Sequence, residues 1–142
     1  MSSTDIFLQF IAAFLASGAF AMLYKIPLNL LFFASLVGAV GWMGYLVTVS
    51  FVGSIVATFI AAAIVSLLAE LFSRMLKTPA TTLAVPGIIP LVPGMRVYRS
   101  MEYFLLGDNV NGLDEVAMTL LVAGAIALGV AVVGSMFRLK KR

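Results

Sequence analysis

The charged residues best placed to hold a ligand follow a proline-rich stretch, AVPGIIPLVPGMRVYRSMEYF, at residues 84–104. Arg96, Arg99 and Glu102 stand three positions apart, a spacing that brings side chains onto one face of a helix. A guanidinium binds a carboxylate through two parallel hydrogen bonds, a geometry that lysine lacks. The two arginines therefore predict a site for a carboxylate-bearing ligand. The alternative is that the three charges neutralise one another or lie among lipid headgroups.

The prolines before these charges predict a broken helix. Each proline lacks an N–H and disfavours helical geometry at the residue before it, so residues 85–94 cannot form an uninterrupted helix. Within a bilayer, the freed backbone groups must be buried by protein or line a hydrated cavity. Many secondary transporters build their substrate sites from such interrupted helices, whereas the alternative is a kink that only shapes packing. The predicted substrate path consists of Pro86, Gly87, Pro90, Pro93, Gly94, Arg96 and Arg99.

The composition indicates an integral membrane protein. Of 142 residues, 63% are hydrophobic and 11% are charged, and the mean hydropathy is +1.15. A soluble domain of this size needs a more polar exterior. Because the chain has no cysteine and no histidine, we predict no metal site, no cofactor and no enzymatic activity. The net charge of +3 in so apolar a chain indicates membrane topology rather than nucleic-acid binding.

The apolar runs predict one membrane domain, residues 1–142, that is all-α and crosses the bilayer five times. A hydrocarbon core about 30 Å thick needs about twenty apolar residues in each helix. The charge-free run from residue 26 to 69 suits two helices, with a turn near residues 47–51. The N-terminal stretch carries Asp5 and no basic residue, so we interpret it as a retained span rather than a cleaved leader. The predicted spans are about 6–24, 28–46, 51–72, 80–106, which is broken, and 116–137.

The charged residues predict the orientation of the chain. If the spans alternate, Lys25, Arg74 and Lys77 fall at the same end as the C-terminal RLKKR, residues 138–142. The acidic residues that fall at the opposite end are Asp5, Asp108, Asp114 and Glu115. Cytoplasmic loops carry an excess of Lys and Arg. We therefore predict a multi-pass protein of the cell inner (plasma) membrane with its N-terminus outside and its C-terminus cytoplasmic.

Two carboxylates are candidates for a proton or ion-pair site, Glu70 and Glu102. Glu70 stands four residues before Arg74, which predicts an ion pair on one helix face near the membrane interface. The alternative is that Glu70 carries a proton. Glu102 ends the charged strip that begins at Arg96.

Small residues predict a close helix contact. Gly53, Ala57 and Ala61 recur every four positions along the predicted third span. Such a face lets two helices approach closely, either within the chain or between two copies in a homo-oligomer.

The motif VPGIIPLVPGMRVYRSM, residues 85–101, closely resembles the proline-rich signature of the small, YjjB-like subunit of the threonine/serine exporter family. FAMLYKIP, residues 20–27, and GWMGY, residues 41–45, are similar to the opening of that family. The resemblance implies export of threonine and serine, or of succinate-like dicarboxylates, beside a larger exporter subunit. Only the residues of the motif transfer from the family to this chain, so the roles of Arg96 and Arg99 are inferred from the positions of the charges. A noncatalytic assembly or scaffold subunit is the alternative function.

Overall fold

A computed structural model describes residues 2–140, and the regular secondary structure of this part of the chain is all helical, with no strand. The observed all-α architecture confirms the predicted fold class. The helices are α1 (Ser3–Leu23), α2 (Leu28–Leu76), α3 (Ala80–Ile88), α4 (Gly94–Leu105) and α5 (Asn109–Lys140), with a single 3₁₀ turn, Ile89–Leu91, between α3 and α4. Lys141 and Arg142 of the predicted basic tail lie outside the described residues.

Helix α2 is a hairpin of two helical arms rather than one long rod. Gly53 has φ 79° and ψ 170°, a conformation that residues with a Cβ rarely adopt, and it divides α2 into arms 28–52 and 54–76. The arms run antiparallel, since Gly41 lies against Val65 and the rings of Phe33 and Phe72 meet at 5.2 Å. The turn predicted near residues 47–51 therefore lies slightly later, at the glycine that permits it.

Two of the three residues predicted to form a small-residue face on the second arm are packed as predicted. Ala57 and Ala61 are fully buried. Gly53 is exposed, and among the described residues nothing lies within 4 Å of a Cβ built on it, so the prediction that it packs against a helix is wrong. Gly53 serves the bend instead.

The proline motif interrupts the next crossing between residues 89 and 93. Helix α3 continues through Pro86, and Ile89 keeps helical geometry although Pro90 follows it. Val92, which precedes Pro93, is extended with ψ 130°, as steric clash with the proline ring requires. The axis bends by 45° between 80–91 and 94–105. Of the three prolines, Pro93 therefore accounts best for the change of direction.

Helix α5 runs parallel to the second arm of α2 and completes the bundle. Gly129 lies against the Phe59 carbonyl, and the Ser66 hydroxyl donates to the carbonyl of Val130 at 3.4 Å. Three helices, α1, α2 and α5, are long and apolar enough to cross a membrane, and the bent α3–α4 pair adds a fourth candidate. Because Gly53 divides α2 into two arms, residues 2–140 offer five segments that could cross. Between 17% and 33% of the residues in the three most apolar windows are buried, so most apolar side chains face outward, where lipid covers them.

Replacing Gly129 with alanine should destabilise the protein. A Cβ at this position would lie 2.7 Å from the Phe59 carbonyl oxygen and 2.9 Å from the Ala62 Cβ, so α5 and the second arm must separate. We expect a loss of about 1–3 kcal/mol, the usual cost of overpacking, measured as a lower melting temperature in detergent. Gly124→Ala is the matched control on the same helix, because the described residues leave open space around that position. Equal melting temperatures for the two variants would contradict this packing.

Candidate functional site

A cleft of about 230 Å³ opens where the fourth crossing is interrupted. One wall is the break itself, from Pro90 to Arg96. The facing walls come from the two arms of α2, with Trp42 and Tyr45 on the first arm and Ser54 and Thr58 on the second. We call this space the break cleft. It lies near the Gly53 bend, because Ser54 immediately follows that residue.

Arg96 gives the break cleft its charge. The residue is in the first turn of α4, and its Nη1 donates to Oε2 of Glu115 on α5 at 3.2 Å. Arg96 is 33% exposed and Glu115 17% exposed, so both charges are partly removed from solvent. One nitrogen of the guanidinium makes this bond, and a guanidinium carries five N–H donors. The arginine can therefore hold Glu115 and a ligand carboxylate at once.

Aromatic rings form the wall opposite the break. Trp42 and Tyr45 stack with their ring centroids 5.1 Å apart. The Trp42 indole N–H donates to the side-chain oxygen of Gln9 on α1 at 3.0 Å, which fixes the ring between two helices. Rigid aromatic walls with a few polar groups are typical of small-molecule sites.

The structure separates the predicted path residues, together with Glu102 of the predicted proton or ion-pair site, into three groups. Pro90, Pro93, Gly94 and Arg96 line the break cleft. Pro86 and Gly87 are buried in packing, and a Cβ on Gly87 would lie 2.7 Å from a Val37 methyl group. The remaining predicted site residues on α4, Arg99 and Glu102, are exposed and do not line the cleft.

The predicted Glu70–Arg74 ion pair is wrong, and so is the alternative in which the charges on α4 neutralise one another. Within residues 2–140 the one ion pair joins Arg96 to Glu115, so Arg96 is not neutralised by Glu102 on its own helix. In the same described range, Glu70 makes no ion pair with Arg74 either. The Arg74 guanidinium lies over the Phe137 ring, 4.7 Å from its centroid, where the negative face of the ring attracts it. Packing of α5 against the second arm supplies that ring.

Sequence reasoning missed Trp42 and Tyr45, which line the cleft, and Glu115, which holds Arg96 without lining the cleft itself. Glu115 lies 19 residues from Arg96, so local spacing carries no signal for the pair. The motif GWMGY does contain both aromatic residues, and its two small glycines beside large rings could have indicated a close helix contact with an aromatic wall.

Comparison with known proteins identifies the family. The family model described as "Threonine/Serine exporter, ThrE" matches residues 9–136. The "Threonine/serine exporter" of Corynebacterium glutamicum is 30% identical over 124 residues, which are 87% of this chain and 25% of that relative. The "Probable threonine/serine exporter" of Mycobacterium tuberculosis (strain ATCC 25618 / H37Rv) is 35% identical over 82 residues, 54% of this chain and 16% of the relative. No solved structure matches the chain.

The match covers nearly all of this chain but a small part of its relatives. The chain spans about a quarter of the Corynebacterium protein and about a sixth of the Mycobacterium protein. The family predicted from the proline motif is confirmed, because the family model extends over the interrupted crossing, the break cleft and the helices around it. The multi-pass helical chain therefore belongs to the threonine/serine exporter family, a family of transporters.

Proposed function

We propose that this chain is a membrane subunit of a secondary exporter of small amino acids such as threonine and serine, with the break cleft as its substrate site. The observation that carries the proposal is the Arg96–Glu115 pair beside the helix break. An amino acid presents a carboxylate and an ammonium group together. Arg96 lines the cleft and suits the carboxylate. Glu115 does not line the cleft, but its contact with Arg96 places a negative charge next to the bound group, which favours the ammonium group of an amino acid and disfavours the second carboxylate of a succinate-like dicarboxylate. Dicarboxylates are therefore the less favoured substrates.

A larger exporter subunit acts beside this chain in the proposal. The Corynebacterium relative supports this arrangement, because the matched region is 25% of that protein and the rest of it has no counterpart in this chain. One alternative is that the chain acts as a homo-oligomer, and another is that it has a purely structural role. The efflux experiment described next distinguishes a structural role from a role in transport.

The proposal is tested by amino-acid efflux. Cells that lack the chain and its partner are loaded with a threonine-containing dipeptide, and external threonine is measured after each gene is restored alone and both together. We expect fast threonine efflux with both and slow efflux without this chain, while succinate efflux stays unchanged. Efflux that depends on the partner alone, with this chain needed only for partner abundance, would favour the scaffold function.

The proposed orientation in the plasma membrane predicts which side each connection faces. Lys25 and Arg138 line spaces that both reach Thr81 at the start of α3, and Lys77 is the C-cap residue of α2 just before α3. These three residues define one end of the bundle, hereafter the basic end, and we propose that it faces the cytoplasm. Single cysteines introduced at Ser3 and Asn111 should react with an impermeant thiol reagent added outside, and a cysteine introduced at Lys77 should not. The native chain has no cysteine to confuse the result. Reaction of positions 3 and 111 from the cytoplasmic side alone would reverse the orientation.

A further inference from the structure

A groove at the basic end holds a second set of opposite charges. Two adjoining cavities of about 270 Å³ each lie between the second arm of α2, the start of α3 and the end of α5. Both are lined by Glu70 and Arg138 together with Ala80 and Thr81, so they form one continuous space, which we call the basic-end groove. It is separate from the break cleft, with which it shares no lining residue.

Glu70 and Arg138 face this groove without bonding each other. The part of the chain that the structure describes has one ion pair, Arg96–Glu115, so the Glu70 carboxylate and the Arg138 guanidinium stay more than 4.0 Å apart. Neighbouring Arg74 is held over Phe137 instead. Two opposite charges that line one groove and do not meet leave room for a molecule that carries both signs.

The rest of the groove is lined by hydroxyl groups and by small residues. Ser66 and Thr81 present hydroxyl groups, and Ser66 is buried. Ala69, Ala84 and Gly134 contribute almost no side chain, which leaves the space open. Helix α3 begins at Ala80 without a side-chain cap, so its first N–H groups add positive potential beside Arg138.

We infer that the basic-end groove is a second binding site for a zwitterionic amino acid, with Arg138 holding the carboxylate and Glu70 the ammonium group. The inference rests on the proposed export function, because an exporter must take its substrate from the cytoplasm.

The break cleft and the basic-end groove both border the line of contact between the second arm of α2 and α5, which we call the seam. The break cleft reaches Thr58 and Val122, and the basic-end groove reaches Ser66 and Val130.

The seam between the two spaces is closed in this structure. Gly129 lies between them in tight contact with the Phe59 carbonyl, the Ala62 Cβ and the Ala63 N–H. A substrate held by Glu70 and Arg138 therefore reaches the break cleft only after this seam opens, as alternating access requires.

The experiment uses a cysteine introduced at Gly134, where the described residues leave open space for a side chain. Gly134→Cys, expressed with the partner in inside-out vesicles, is labelled with an impermeant maleimide at increasing concentrations of L-threonine. The parallel probes are 3-hydroxybutyrate, which lacks the ammonium group, and threoninol, which lacks the carboxylate. We expect L-threonine to slow labelling and both analogues to fail.

Substitutions in the same cysteine background assign the charges. Glu70→Gln and Arg138→Gln should each raise the threonine concentration for half-protection by about tenfold or more, since a hydrogen bond to a charged group contributes about 1.5–3 kcal/mol. Lys140→Gln is the control, because it removes one charge from the same helix end and Lys140 does not line the groove.

Two results would overturn the inference. One is labelling that threonine does not slow, in vesicles whose wild-type protein exports threonine. The other is equal protection in the Glu70→Gln, Arg138→Gln and Lys140→Gln backgrounds. Failure of the wild-type protein to export any amino acid would instead overturn the proposed function on which the inference rests, so the two failures are distinguishable.

Discussion

Replacing Arg96 with glutamine is expected to lower threonine export by about tenfold to a hundredfold, because a hydrogen bond to a charged group contributes about 1.5–3 kcal/mol. The arginine lines the break cleft and has donors beyond the one that Glu115 accepts. The export rate of Arg96→Lys should lie between those of the wild type and Arg96→Gln. Lysine keeps the charge and the ion pair but lacks the planar guanidinium that makes two parallel hydrogen bonds to a carboxylate. The measurement is efflux rate divided by the amount of protein in the membrane.

Arg99 provides the matched control for this series. It is on the same helix, three residues later, and is exposed outside the cleft. Arg99→Gln should therefore export at nearly the wild-type rate. Equal losses of export for Arg96→Gln and Arg99→Gln would show that both arginines act as membrane anchors. Full export by both Arg96→Lys and Arg96→Gln would contradict the proposed contact between Arg96 and the substrate carboxylate.

Replacing Pro93 with alanine is expected to abolish export while the protein still accumulates. Val92 is extended because a proline follows it, and alanine removes that constraint. Alanine also supplies an N–H that can donate to the Ile89 carbonyl, four residues earlier, which joins α3 to α4 in one helix. A straightened crossing would close the wall of the break cleft. Pro90→Ala should have a smaller effect, since Ile89 is already helical.

Pro27→Ala serves as the control for the proline substitution. Pro27 precedes α2 as its N-cap residue and is exposed, so the change alters no break within a crossing. Efflux and membrane abundance are measured for both variants. A loss of export in Pro93→Ala that simply follows a loss of protein would show that the prolines shape packing rather than a substrate site.

The sequence predicts those features of the fold that local chemistry determines. A proline acts on its own residue and the one before it, so the spacing predicts an interrupted helix somewhere in residues 85–94. Spacing does not show that α3 continues through Pro86 and that Val92, before Pro93, is the residue that leaves helical geometry. The position of the α2 bend is harder to predict, because two polar residues, Thr48 and Ser50, also suit a turn. The observed φ of 79° requires the glycine at position 53, which the predicted small-residue face had assigned to packing.

The candidate site depends on contacts that no local pattern encodes. Glu115 reaches Arg96 because the chain reverses after α4 at Gly107, which has φ 79°, and α5 then returns beside α4. Arg138 meets the groove of Glu70 because the second half of α5 packs parallel to the second arm, from the Gly129 contact with Phe59 to the Phe137 contact with Arg74. Both arrangements depend on tertiary packing, so the sequence identified single charged residues and could not identify which of them come together.

The most direct test of the central claim is substrate protection of a cysteine introduced in the break cleft. Gly94 lines that cleft, and within residues 2–140 no atom lies close to a Cβ built on it, so Gly94→Cys should be tolerated. Asn111→Cys is an exposed control on α5. Saturating L-threonine should slow thiol labelling of the Gly94→Cys variant and leave labelling of Asn111→Cys unchanged. Equal labelling rates for Gly94→Cys with and without threonine, in protein that still exports threonine, would contradict the account.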